Sequence, residues 1–131
     1  MENDLLYPEL SYKIRGAFFK IWKEFGPAFK EAIYQKALEK EFRDCGINFE
    51  SQKRLPVYYQ DEKVGLYVPD FVVEDKIIIE IKHLPFLTMK EKQQVWYYLK
   101  GTDYKLLFLV NFGGEKLEIL RYVYDKARIK K

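Results

Sequence analysis

Residues 69–82 read PDFVVEDKIIIEIK, a run in which three isoleucines lead into Glu80 and Lys82. On a β-strand, residues two apart share a face, so Glu80 and Lys82 project together while Ile79 and Ile81 project to the other side. Asp70 belongs to the preceding strand. If the connecting turn is Glu74, Asp75 and Lys76, Val73 pairs with Ile77 and, counting outward, Asp70 falls opposite Glu80. A two-residue turn would set Asp70 opposite Ile79 on the wrong face, because a one-residue slip reverses every side chain. An odd-length turn therefore gathers Asp70, Glu80 and Lys82. Two neighbouring carboxylates repel and invite a divalent cation, and hard oxygen ligands with room for water suit Mg²⁺ or Mn²⁺. A lysine beside such a cation can stabilise charge developing on phosphorus, or help to position and deprotonate a water. An isolated Glu-x-Lys is more often an ordinary surface pair, since short motifs match by chance.

Other residues bear on that choice. Glu31 lies on one helical stripe with Tyr34, Leu38, Phe42 and Cys45, and an acid on an apolar stripe is costly to bury unless paired or metal-bound. Stabilisation of a helix N-terminus explains it equally well. Gln94 and Tyr98, four apart, neighbour each other on a helix, where a plain amide–aromatic contact is the simpler reading. His83 is the single histidine and could touch a phosphate beside Lys82, although lone histidines are more often structural.

These residues need elements to position them. Leu10, Ile14, Ala17, Phe18, Ile21, Trp22 and Phe25 recur at helical spacing. Gly26-Pro27 stops that helix, and Pro27 can open a second at its first position, running to about Cys45 with Gly46 just past its end. Residues 47–59, 64–73 and 76–83 are rich in Val, Ile, Tyr and Phe and read as a meander of three strands. Thr88 and Glu91 form a capping-box pattern for a helix that ends at Gly101. Residues 105–112 are nearly all apolar, as in a strand covered on both faces. A last strand near 116–124 and a basic tail, KARIKK, follow. The order α-α-β-β-β-α-β-β predicts an α/β sandwich around a mixed sheet.

At 131 residues the chain fits a single domain. Its 33% charged and 48% apolar residues are globular rather than disordered, and a net charge of +3 permits a polyanionic partner without demanding one. One cysteine excludes an internal disulfide and any multi-cysteine zinc site, and one histidine excludes a multi-histidine centre. No signal-peptide core or membrane-spanning run is present, so the expected compartment is the cytoplasm, with no membrane partner.

Pro69-Asp70 … Glu80-Ile81-Lys82 resembles the motif of the PD-(D/E)XK nuclease superfamily. FGPAFKEAIYQKAL, FESQKRLPVYY, VGLYVPDFVVEDKIIIEIK, QQVWYYLK and LLFLVNFG, in that order, resemble its small GxxExxY branch over about residues 10–122. Ala28 stands where that branch has its glycine, whereas Glu31 and Tyr34 match. The resemblance implies a restriction-endonuclease-like αβββαβ core, a mixed central sheet flanked by helices, and Mg²⁺-dependent (or Mn²⁺-dependent) hydrolysis of phosphodiester bonds. It implies Asp70, Glu80 and the Ile81 carbonyl as metal ligands, Lys82 as assistant to the attacking water, and Glu31 as the acid that completes or orients the site. Gln94 and Tyr98 match a Q-x-x-x-Y helix that positions the site and nearby phosphate. The expected partner is nucleic acid, DNA in particular, with work in repair, recombination or defence. A structure-selective resolvase acting as a homodimer and a non-catalytic binding module are the alternatives.

Overall fold

The computed structural model describes residues 6–125; the basic tail lies outside them. Helix α1, Pro8–Phe25, starts with its proline in the first turn, where the missing N–H costs nothing, and buries Ile14, Ala17, Phe18 and Ile21. Gly26, at φ +55°, ends it. Helix α2 begins at Glu31 and ends at Asp44, so Pro27 does not open it as its position predicts. The Tyr34 hydroxyl explains the delay: it donates to the Gly26 carbonyl at 2.5 Å and accepts from the Phe29 N–H at 3.2 Å, holding the intervening residues in a turn. At the far end, Ile47 N–H bonds to the Phe42 carbonyl and Gly46 N–H to that of Arg43, with Gly46 at φ +70°. This double closure is the Schellman arrangement, which needs a left-handed residue there.

The two long apolar segments expected as single strands are each divided. Residues 47–59 give β1 (Phe49–Ser51) and β2 (Leu55–Tyr59), separated at Gln52, which has φ +57°. Residues 64–73 give parts of β3 (Glu62–Tyr67) and β4 (Phe71–Val73). Pro69 lies in that second break, and a residue without an N–H interrupts a ladder. Strands β2 and β3 pair only with each other as a hairpin. The main sheet has the order β1-β4-β5-β6-β7, where β5 is Ile77–Lys82, β6 Leu106–Asn111 and β7 Glu118–Val123. Only β5–β6 is parallel. The sheet is mixed, as expected, but the meander is not continuous.

Two apolar layers cover this sheet. Phe71, Val73, Ile77, Ile79, Ile81, Phe108, Val110 and Phe112 pack with α1 and α2. Val72, Ile78, Leu107 and Leu109 pack with the hairpin and with α3, Met89–Gly101. Every residue of β6 is buried, which accounts for its unbroken apolar sequence. Helix α3 starts where the capping box predicts, with the Thr88 N–H and hydroxyl both donating to Glu91 Oε1 at 2.7 Å. No helix among the described residues is long and apolar enough to cross a membrane.

Candidate metal and phosphate site

The β4–β5 turn has the odd length that the parity argument requires. Val73 pairs with Ile77, Val72 with Ile78 and Phe71 with Ile79, and the Lys76 N–H bonds to the Val73 carbonyl at 2.9 Å. Stepping outward from Phe71 and Ile79 brings Asp70 to Glu80, on the face of α3 and the hairpin. Strand β4 begins at Phe71, so it offers no ladder acceptor at Ile81. The Asp70 side chain takes that place: its Oδ2 accepts the Ile81 N–H at 2.7 Å. The N–H and C=O of one strand residue project to the same edge, which sets the Ile81 carbonyl on this open edge too.

Asp70 is held from behind as well. Its main-chain carbonyl accepts from the Gln52 N–H at 3.2 Å and from Gln35 Nε2 at 3.1 Å, and Gln52 Nε2 approaches Oδ1 at 3.4 Å. Glu80 is half-buried, and the Tyr67 hydroxyl donates to its Oε2. Burial is the main cause that pushes the Glu80 carboxyl up to about 8, and the neighbouring Asp70 adds to it. The Tyr67 hydrogen bond and the Lys82 charge oppose that shift. Burial, followed by the charge of Glu80, raises the Tyr67 hydroxyl far above its ordinary value, so it remains a donor.

A pair of carboxylates, one of them holding a proton near neutral pH, is short of positive charge. Its hard oxygens suit Mg²⁺ or Mn²⁺. Among the described residues no group of three or more His, Cys, Asp or Glu side chains could hold a metal ion. Such a cation would keep several waters, as Mg²⁺ commonly does. The donor set therefore fits a hydrated ion on one edge of a strand, rather than a closed protein cage.

Glu31 is not brought into this pair. It is exposed in the first turn of α2, on the opposite side of the sheet, and its Oε2 accepts the His83 N–H at 3.2 Å. The stripe expected to bury it buries Tyr34, Leu38 and Phe42 but leaves both ends, Glu31 and Cys45, exposed. His83 Nε2 meets the Pro27 carbonyl at 2.8 Å, and its ring stacks on Tyr34. Thus Glu31, Tyr34 and His83 together fasten the end of β5 to the α1–α2 turn. Lys82 is half-buried on the Glu80 face. Gln94 is exposed one turn before Tyr98, whose ring lies 4.0 Å from that of Tyr67 at 8°.

Tyr67, Gln52 and Gln35 are absent from the residues that spacing picked out. Tyr67 stands three residues before Asp70 on an alternating strand, and that parity says nothing once β3 leaves the main sheet. Only a resemblance over the whole segment could have drawn it in.

No curated protein and no solved structure matches the chain. A family model does match, over residues 8–122, spanning α1 through most of β7 and so every residue of this site. On a match that covers nearly the whole chain and this mixed α/β fold, the chain belongs to the PD-(D/E)XK nuclease superfamily.

Proposed function

We propose that the chain is a Mg²⁺- or Mn²⁺-dependent nuclease that hydrolyses phosphodiester bonds in DNA, of the GxxExxY kind. The observation that carries this reading is the seating of Asp70 on the Ile81 N–H, which fixes one carboxylate beside Glu80 with Lys82 on the same face. Asp70, Glu80 and the Ile81 carbonyl are the residues that would hold the cation. When bound, the cation supplies Lewis-acid stabilisation and a template for substrate and water. Lys82 orients the attacking water and offsets charge that develops on the phosphoryl oxygens. Glu31 acts through His83, keeping the end of β5 and hence Lys82 in place. Gln94 faces the phosphate from α3. Tyr98 supports the site through its stack on Tyr67. Ala28, in place of the branch's glycine, is exposed and lies in the turn before α2, where the extra methyl meets no buried surface.

The test is incubation of purified protein with labelled single-stranded, duplex and four-way DNA in Mg²⁺, Mn²⁺ or EDTA. Cleavage that disappears both in EDTA and in Asp70→Ala supports the nuclease. Symmetric cutting confined to four-way junctions points instead to a dimeric resolvase. Binding without cleavage under every metal condition overturns the enzyme reading in favour of a binding module.

A further inference from the structure

We infer that Tyr67 is a positioning residue for Glu80, delivered by the β2–β3 hairpin, and that its hydroxyl sets the affinity of the site for a divalent cation. This rests on the metal-site reading above. Tyr67 is the last residue of β3 and is only 4% exposed, whereas Val64 and Tyr59 on the same hairpin are 59% and 65% exposed. Its register partner Leu55 is also buried. The hairpin is therefore anchored at its base, by these two side chains, and open at its tip. The Tyr67 ring stacks nearly parallel on that of Tyr98, so α3 sets the plane in which the hydroxyl points. That hydroxyl reaches Glu80 Oε2.

Asp70 and Glu80 are thereby treated alike. Ile81 N–H occupies Oδ2 of the first and Tyr67 occupies Oε2 of the second. Each carboxylate has one oxygen held by a close protein donor, and the second Asp70 oxygen carries only the 3.4 Å approach of Gln52 Nε2. Partners of this kind orient metal ligands, and losing one typically costs about 10- to 100-fold in metal affinity or activity. The main sheet supplies the donor for Asp70 from its own backbone. For Glu80 the donor arrives from outside the sheet.

Tyr67→Phe keeps the ring and its stack and removes only the hydroxyl. Calorimetric titration with Mn²⁺ is expected to show a dissociation constant about 10- to 100-fold weaker than wild type. Cleavage by the variant should recover as Mg²⁺ is raised by the same factor, with kcat restored. A second comparison guards against a folding defect: Glu80→Ala and the double variant Tyr67→Phe/Glu80→Ala should bind Mn²⁺ equally, because the hydroxyl then has no side-chain acceptor to orient. Wild-type Mn²⁺ affinity in Tyr67→Phe overturns this inference and leaves the nuclease reading standing. So does a further loss in the double variant. Failure of the wild-type protein itself to take up Mn²⁺ overturns both.

Discussion

The Glu80 carboxyl makes the metal-free protein sensitive to pH in a calculable way. Its value rises from 4.5 to about 8 in the folded chain, chiefly because burial disfavours the charged form. A folded value above the unfolded one means that its contribution to stability is fully present below pH 4.5. That contribution is lost as pH climbs through 8. The step from 4.5 to about 8, at about 1.36 kcal/mol for each tenfold change in proton affinity, sets an upper bound of about 5 kcal/mol. The half-buried position of the side chain brings the expected loss below that bound. Glu80→Gln keeps an acceptor for the Tyr67 hydroxyl but cannot ionise. Urea unfolding in EDTA at pH 5, 6, 7 and 8 should therefore show the variant gaining on wild type with each step and exceeding it by several kcal/mol at pH 8. Saturating Mg²⁺ should restore wild type most at the high end, where the carboxylate is left uncompensated. A wild-type-minus-variant difference that stays constant across the window would refute the argument, since it would mean that Glu80 ionises in the folded protein as freely as in water.

Three further outcomes follow from particular contacts. Tyr34→Phe removes both hydrogen bonds that shape the turn before α2, and chemical denaturation should show a loss of about 1–3 kcal/mol. Gly113→Ala would set a Cβ 2.4 Å from the Leu84 nitrogen and 2.6 Å from its oxygen. Both are main-chain atoms just past Lys82 and His83, so the variant should lose about 1–3 kcal/mol by thermal melting, and cleavage should fall with it. Tyr104 donates to Asp75 Oδ1 at 2.5 Å and is pushed up to about 12, first by burial and then by that carboxylate. Its raised value favours the fold below pH 10 and ceases to do so as pH passes 12; Tyr104→Phe should flatten the alkaline limb of the stability curve.

What could be read from the residues alone depended on how far each relation reached along the chain. The pairing of Asp70 with Glu80 needed only the parity of a three-residue turn, and a slip there would have turned a whole face over. The helix at Met89 needed only Thr88 and Glu91. By contrast, the hold on Asp70 comes from Gln35 and Gln52, whose side chains carry no local sign of their target. Glu31 was legible as an acid of consequence but not as a partner of the His83 main chain, because that contact spans 52 residues. Pro27 misled in the same way: its fitness to begin a helix was outweighed by a hydroxyl on Tyr34 seven residues later.

The division of the strand at Pro69 ties the two kinds of information together. Read as continuity, residues 64–73 are one strand, and the proline is a flaw in it. In the fold, the break does two things for the site. It starts β4 at Phe71, two residues too late to give the Ile81 N–H a ladder partner, so the Asp70 carboxylate becomes that partner. It also releases β3 from the sheet, which lets the hairpin fold over the β5 face and bring Tyr67 to Glu80. An uninterrupted strand through position 69 would pair with β5 along its length, satisfy Ile81 with backbone and carry Tyr67 away from Glu80. The irregularity that defeats a strand-by-strand reading is thus what gathers two carboxylates, the Ile81 carbonyl edge and a lysine at one corner of the sheet.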